Sequence, residues 1–154
     1  MIADKIRPQQ TLIGFDFGLR RIGVAVGQAI TATATPLETV RANEGKPDWA
    51  TISRLISDWH VDALVVGLPL NMDGSEQDMT RAARRFANQL KGRYHLPVYL
   101  ADERLSSVAA EEILNNPVSG RRRTTKKQAD VLDQVAAQLI LMTFFQQQDQ
   151  HELE

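Results

Sequence analysis

Asp16 sits in the apolar run Ile13-Gly14-Phe15-Asp16-Phe17-Gly18, with a glycine two residues to either side. In an extended chain Ile13, Phe15 and Phe17 share one face, and Gly14, Asp16 and Gly18 share the other. A carboxylate on such a strand is costly to bury unless something pairs with it. The flanking glycines predict open space beside it for a metal ion or a phosphate. Further acids stand at Asp102-Glu103 and at Asp130 and Asp133. Several carboxylates do not converge while ionised without cations between them. Oxygen donors suit Mg2+ or Mn2+. Two such ions can clamp the attacking and leaving oxygens of a phosphodiester displacement. Residue chemistry alone therefore points to metal-dependent phosphoryl transfer, using Asp16, one of Asp102 and Glu103, and a helical acid.

The elements that must position these acids follow from periodicity. Residues 11–18 and 22–30 read as strands, and 33–41 as a third with Pro36 favouring an edge. Their close spacing predicts an antiparallel meander. Pro47 is placed at the start of a helix carrying Trp49, Ile52, Leu55, Ile56 and Trp59 at helical spacing. Residues 61–68 read as a buried parallel strand. Ser75 with Asp78 resembles a capping box for a helix reaching about Tyr94. Residues 97–101 form another strand, ending at Asp102-Glu103-Arg104. Ser106 or Ser107 caps a short helix to about Asn115, 117–125 form a basic loop, and a last helix covers 126–147. The order β-β-β-α-β-α-β-α-α predicts a mixed α/β sheet rather than a doubly wound one.

Neighbouring strand residues face opposite sides, so only one of Asp102 and Glu103 can join Asp16. The local pattern leaves that choice open. The last helix is more informative. From Asp133 the helical neighbours are Ala136, Ala137, Ile140 and Phe144, an apolar face directed at the sheet. From Asp130 they are Asp133, Gln134 and Gln138, a wetter face.

The 154 residues predict one domain over 11–147, with a loose leader 1–10 and a polar tail 148–154. Without cysteine there are no disulfides or thiolate metal sites, which fits a reducing cytoplasm. No apolar run approaches the ~18 residues of a membrane span, so no membrane partner is expected. With a net charge of −1, any nucleic-acid contact must come from local clusters. Arg121, Arg122, Arg123, Lys126 and Lys127 make one such cluster, and Arg20 and Arg21 after the first strand make another. These seven are the candidate phosphate contacts. His60, His95 and His151 lack ligand spacing, and Trp49 and Trp59 read as helix packing.

Four segments, in order, resemble the YqgF family (also called RuvX) of the ribonuclease H-like superfamily over roughly 11–145. They are Gly14-Phe15-Asp16-Phe17-Gly18 through Ile22-Gly23-Val24-Ala25; Val66-Gly67-Leu68-Pro69 with Asn71-Met72-Asp73-Gly74-Ser75; Asp102-Glu103-Arg104-Leu105-Ser106; and Lys126-Lys127 with Asp133, Ala136 and Ala137. Leu132 stands where the family often carries Ile or Val. The resemblance implies a five-stranded mixed sheet of order 3-2-1-4-5 flanked by helices. It also implies catalytic, metal-holding acids at Asp16, Glu103 and Asp133, and so selects Glu103 over Asp102. Family members are described as nucleases of the pre-16S rRNA 5′ end and as Holliday junction resolvases. The implied partner is precursor rRNA, alternatively branched DNA, with the ribosome as a further partner and a monomer or homodimer as the species. Two other readings compete. One is a non-catalytic nucleic-acid-binding module. The other is an actin-like phosphotransferase, which needs two such domains; neither phosphate-binding glycine motif is present.

Overall fold

Three strands, β1 (Thr11–Asp16), β2 (Arg21–Gln28) and β3 (Thr33–Asn43), open the computed structural model as an antiparallel meander. The structure describes residues 7–103 and 126–147. A two-residue strand β4 (Lys46–Pro47) and helix α1 (Trp49–Asp58) follow, then β5 (Ala63–Leu68), α2 (Asp78–Tyr94), β6 (Val98–Asp102) and α3 (Lys126–Gln146). The sheet order is β4-β3-β2-β1-β5-β6, with β5 parallel to both β1 and β6. This is the expected order with one addition: the sheet has six strands, not five, because β4 pairs with Ala42 and Asn43.

That short strand also moves Pro47. The sequence places it at the first helical turn, but it lies in β4, where an edge demands no N–H from it. The helix begins at Trp49 after Asp48, whose N–H is taken by the Arg41 carbonyl at 3.0 Å. The cap of α2 shifts similarly. Ser75 is held in a turn by Asp73, at 2.8 Å through its N–H and 2.6 Å through its hydroxyl. The cap falls instead on Gln77, whose N–H donates to Thr80 Oγ1 at 3.0 Å. Pro36 lies where β3 bulges against β2, beyond the reach of β4.

The strand alternation separates two cores. Ile13, Phe15 and Phe17 face α1 and α2, where Phe86 meets Phe15 edge-on at 5.3 Å and Trp49 stacks on Phe86 at 5.9 Å. Leu12, Val65 and Tyr99 face α3, against Ala137, Ile140, Leu141 and Phe144. All of β5 is buried, as expected of a strand covered on both faces. Trp49 is packed, with the Arg93 guanidinium 4.0 Å above its ring. Trp59 is exposed just beyond α1. His60 and His95 are exposed residues at helix ends in left-handed backbone. Of the leader, residues 7–10 form a turn, and Gln10 extends the sheet by accepting from Ala29 N–H at 3.1 Å. The expected helix before Asn115, the basic loop 117–125, His151 and the tail 148–154 lie outside the described residues.

Candidate active site

Asp16 ends β1 on the α3 face. β1, β5 and β6 run parallel, so their carboxyl ends meet at one sheet edge, where α/β sheets place ligands. Glu103 follows β6 directly and donates its N–H to the Leu68 carbonyl at 3.2 Å. Tyr99 and Ala101 pack toward α3. The same alternation carries Glu103 to the α3 face and Asp102 to the other. Asp133 lies in the second turn of α3, above β2.

The glycines beside Asp16 do not leave open space, contrary to the sequence reading. A Cβ on Gly14 would lie 2.6 Å from Leu141 Cγ, and one on Gly18 would lie 2.5 Å from the Arg21 carbonyl oxygen. Their room is taken by α3 and by the turn after β1. Two glycines further along do more for the site. A Cβ on Gly23 would meet the Asp133 carbonyl oxygen at 1.9 Å, and one on Gly67 would meet Glu103 Oε2 at 2.3 Å. Gly23 thus lets the Asp133 backbone rest on the sheet opposite Asp16, its register partner. Glycine inside a strand marks this kind of close approach, so the signal was legible. The open volume lies beside the turn instead. It is a cleft of about 390 Å³ lined by Asp16, Phe17, Gly18, Leu19, Arg20, Arg21, Met79 and Asp133.

Glu103 is only 5% exposed, and its Oε2 has no hydrogen-bond partner among the described residues. Burial, and then the neighbouring Asp16 charge, push its carboxyl up to about 9. Asp16 is pushed up to about 7, first by burial and then by the charge of Asp133, while its hydrogen bond with Glu103 opposes the rise. Two buried carboxyl groups this close favour sharing a proton between them. Burial also raises Asp133, against the pull of Arg21. Arg21 Nε donates to Asp133 Oδ2 at 2.7 Å and lies 4.0 Å from Asp130 Oδ1. Arg41 holds Asp130 with both terminal nitrogens, at 3.2 and 2.9 Å.

Asp16 and Glu103 are thus brought together, with Asp133 near enough to act on Asp16 electrostatically. Among the described residues no three His, Cys, Asp or Glu side chains close into a metal cluster, and Asp133 gives one oxygen to Arg21. The donors nonetheless fit a hard divalent cation. They are carboxylate oxygens, one has no hydrogen-bond partner among the described residues, and both resist ionisation, first through burial and then through a neighbouring carboxylate. Of the candidate phosphate contacts, Arg20 is exposed on the cleft, Arg21 lines it in an ion pair, and Lys127 is exposed near the start of α3. Arg121, Arg122, Arg123 and the Lys126 side chain lie outside the described residues. Sequence reasoning missed the Arg41–Asp130 pair and Met79. Nothing local signals either, since each depends on an element distant in the chain.

The comparisons with known proteins agree with this architecture. A family model described as "RuvX: Holliday junction resolvase" matches residues 10–147. A protein of Nitrosococcus oceani named "Putative pre-16S rRNA nuclease" is 55% identical over 139 residues, covering 89% of this chain and 87% of its own length. A protein of Klebsiella pneumoniae subsp. pneumoniae with the same name is 49% identical over 137 residues, covering 89% and 96% respectively. The solved structure of T. thermophilus RuvC in complex with a Holliday junction substrate shares the fold, with a TM-score of 0.54 at 15% identity, over 94% of this chain and all of that one. The family match over residues 10–147, with a relative 55% identical over 89% of the chain, places it in one family: the chain belongs to RuvX.

Proposed function

We propose that this chain is a divalent-metal-dependent endonuclease that hydrolyses phosphodiester bonds, acting on the 5′ region of precursor 16S rRNA in the cytoplasm. One observation carries the chemistry. Asp16, on the cleft beside Arg20 and Arg21, is hydrogen-bonded to Glu103 at one sheet edge, and Glu103 Oε2 is buried with no hydrogen-bond partner among the described residues. The names of the similar proteins support the rRNA substrate. Mg2+ or Mn2+ held by Asp16 and Glu103 would offset charge building on the scissile phosphate and supply an activated water. The protein's own residues do the rest. Asp16 and Glu103 would hold the ion in place of the proton that their closeness favours. Asp133 adds a third carboxylate to the same cleft. Arg20 and the cations at 121–127 hold the phosphate backbone, which carries no sequence information by itself.

A second reading, cleavage of branched DNA, is favoured by the description of the matching family. A junction must be cut twice, so a resolvase needs two symmetric active sites. A monomer in solution favours the RNA reading. The test is cleavage of precursor 16S rRNA and of a four-way DNA junction with Mn2+ or Mg2+, beside Asp16→Asn. The wild type is expected to cut the RNA, and the variant to be slower by about 10²-fold or more. Cleavage that survives the substitution rules out this site. Cutting of the junction alone selects the second reading, and binding without cutting returns the chain to a non-catalytic module.

A further inference from the structure

Arg21 is a strong anion ligand held by the wrong anion for a phosphate-binding cleft. It lines the cleft, its side chain is 35% exposed, and its Nε is committed to Asp133 at 2.7 Å. The Asp133 side chain is 19% exposed and lines the same cleft as Asp16, but its Oδ2 is taken by Arg21. Guanidinium pairs as well with phosphate as with carboxylate. A strand entering the cleft therefore meets an arginine that can exchange one anion for another without losing its charge partner.

We propose that Arg21 is a switch: it trades the Asp133 carboxylate for a phosphate of the bound strand, and so frees Asp133 Oδ2 to act with Asp16 and Glu103 only when nucleic acid is present. This rests on the nuclease reading and adds a substrate-gated step to it. The backbone confines the exchange to side chains. The Asp133 carbonyl is seated on Gly23. One turn is pinned to β3, where Thr39 Oγ1 donates to the Asp130 carbonyl at 2.8 Å and accepts from Gln134 Nε2 at 3.1 Å. The bidentate Arg41–Asp130 pair holds that turn while Arg21 lets go. By linkage, whatever the strand does for Asp133, a freed Asp133 does for the strand.

A metal-free double-mutant cycle tests this. Fluorescence anisotropy in EDTA reads the binding of a labelled four-way DNA junction and of a structured RNA by wild type, Arg21→Ala, Asp133→Asn and the double variant, each checked for native circular dichroism. Asp133→Asn is expected to tighten binding roughly fivefold or more by releasing Arg21, and to change it less than about twofold when Arg21 is already alanine. An equal gain in both backgrounds means simple removal of a negative charge and overturns the switch; so does no gain. In a second arm, Mn2+ titration without nucleic acid is expected to show several-fold tighter binding to Arg21→Ala than to wild type. An equal or weaker affinity also overturns it. Failure of the nuclease reading shows elsewhere, as wild-type protein that cuts neither substrate.

Discussion

Glu103 concentrates the electrostatic strain of this protein in one side chain. It is buried, and in the absence of a cation its carboxyl keeps its proton far above the ordinary carboxylate range. The native state therefore binds more protons than the unfolded chain between about 4.5 and about 9. The stability this lends is present at low pH and is lost as pH rises through that window. Glu103→Gln removes the titration while keeping the shape. In EDTA at pH 8 it is expected to raise stability by about 1–3 kcal/mol, as relief of an unpaired buried group does, and to gain little at pH 4.5. Thermal melts at the two pH values decide it; an equal gain at both would show that the carboxyl does not titrate as described. Saturating Mn2+ should reverse the order of wild type and variant, since only the wild type offers the full ligand pair.

Helix α3 is seated on the sheet through residues that lack side chains. Gly14, Gly23, Gly27 and Gly67 each point at α3 or Glu103, and an added Cβ would meet atoms at 1.9 to 3.0 Å. At Gly23 the obstructing atom is the backbone oxygen of Asp133, which cannot rotate away. Gly23→Ala is expected to destabilise the fold by about 3 kcal/mol, the upper end of overpacking costs, and to displace the helical acid from the site. Gly92 near the end of α2 is the contrast, with nothing within 4 Å of its missing Cβ. Gly92→Ala should stabilise by about 0.5–1 kcal/mol, through helix propensity and a less flexible unfolded chain. Urea unfolding of the two variants separates a glycine that makes room from one that merely occupies a helix. A stable Gly23→Ala variant would mean that α3 sits further from the sheet.

Across the whole molecule, charge nearly cancels, at −1, and no described helix is long and apolar enough to cross a membrane. Attraction for a polyanion must then be local, gathered at the carboxyl edge of the sheet by Arg20 and Arg21 and, in the proposed reading, by the cations at 121–127. Replacing Arg121, Arg122 and Arg123 by alanine should weaken nucleic-acid binding. It should also flatten the dependence of log K on log salt by about 0.9 for each duplex phosphate that is no longer neutralised. An unchanged slope would place these arginines away from the strand.

Much of this was legible in the sequence, because backbone geometry imposes fixed periods on side chains. A period of two put Asp16 opposite Phe15, and a period of 3.6 put Asp133 at the head of the apolar face of α3; both hold. The element order and the meander followed from spacing in the same way. Pro47 and Ser75 misled because each had a competing local partner, a hairpin edge and an Asp turn, that spacing alone does not weigh. Only the tertiary structure decided three matters. It filled the side-chain positions of Gly14 and Gly18 with Leu141 and the Arg21 carbonyl, and put the open volume beside Asp16 at the turn instead. It set the phase of β6, which the residue pattern by itself left open, so that Glu103, as the family resemblance implies, and not Asp102 faces Asp16. And it paired Arg21 with Asp133, 112 residues away. Each of these depends on how one element registers against another, and a local period carries no information about that.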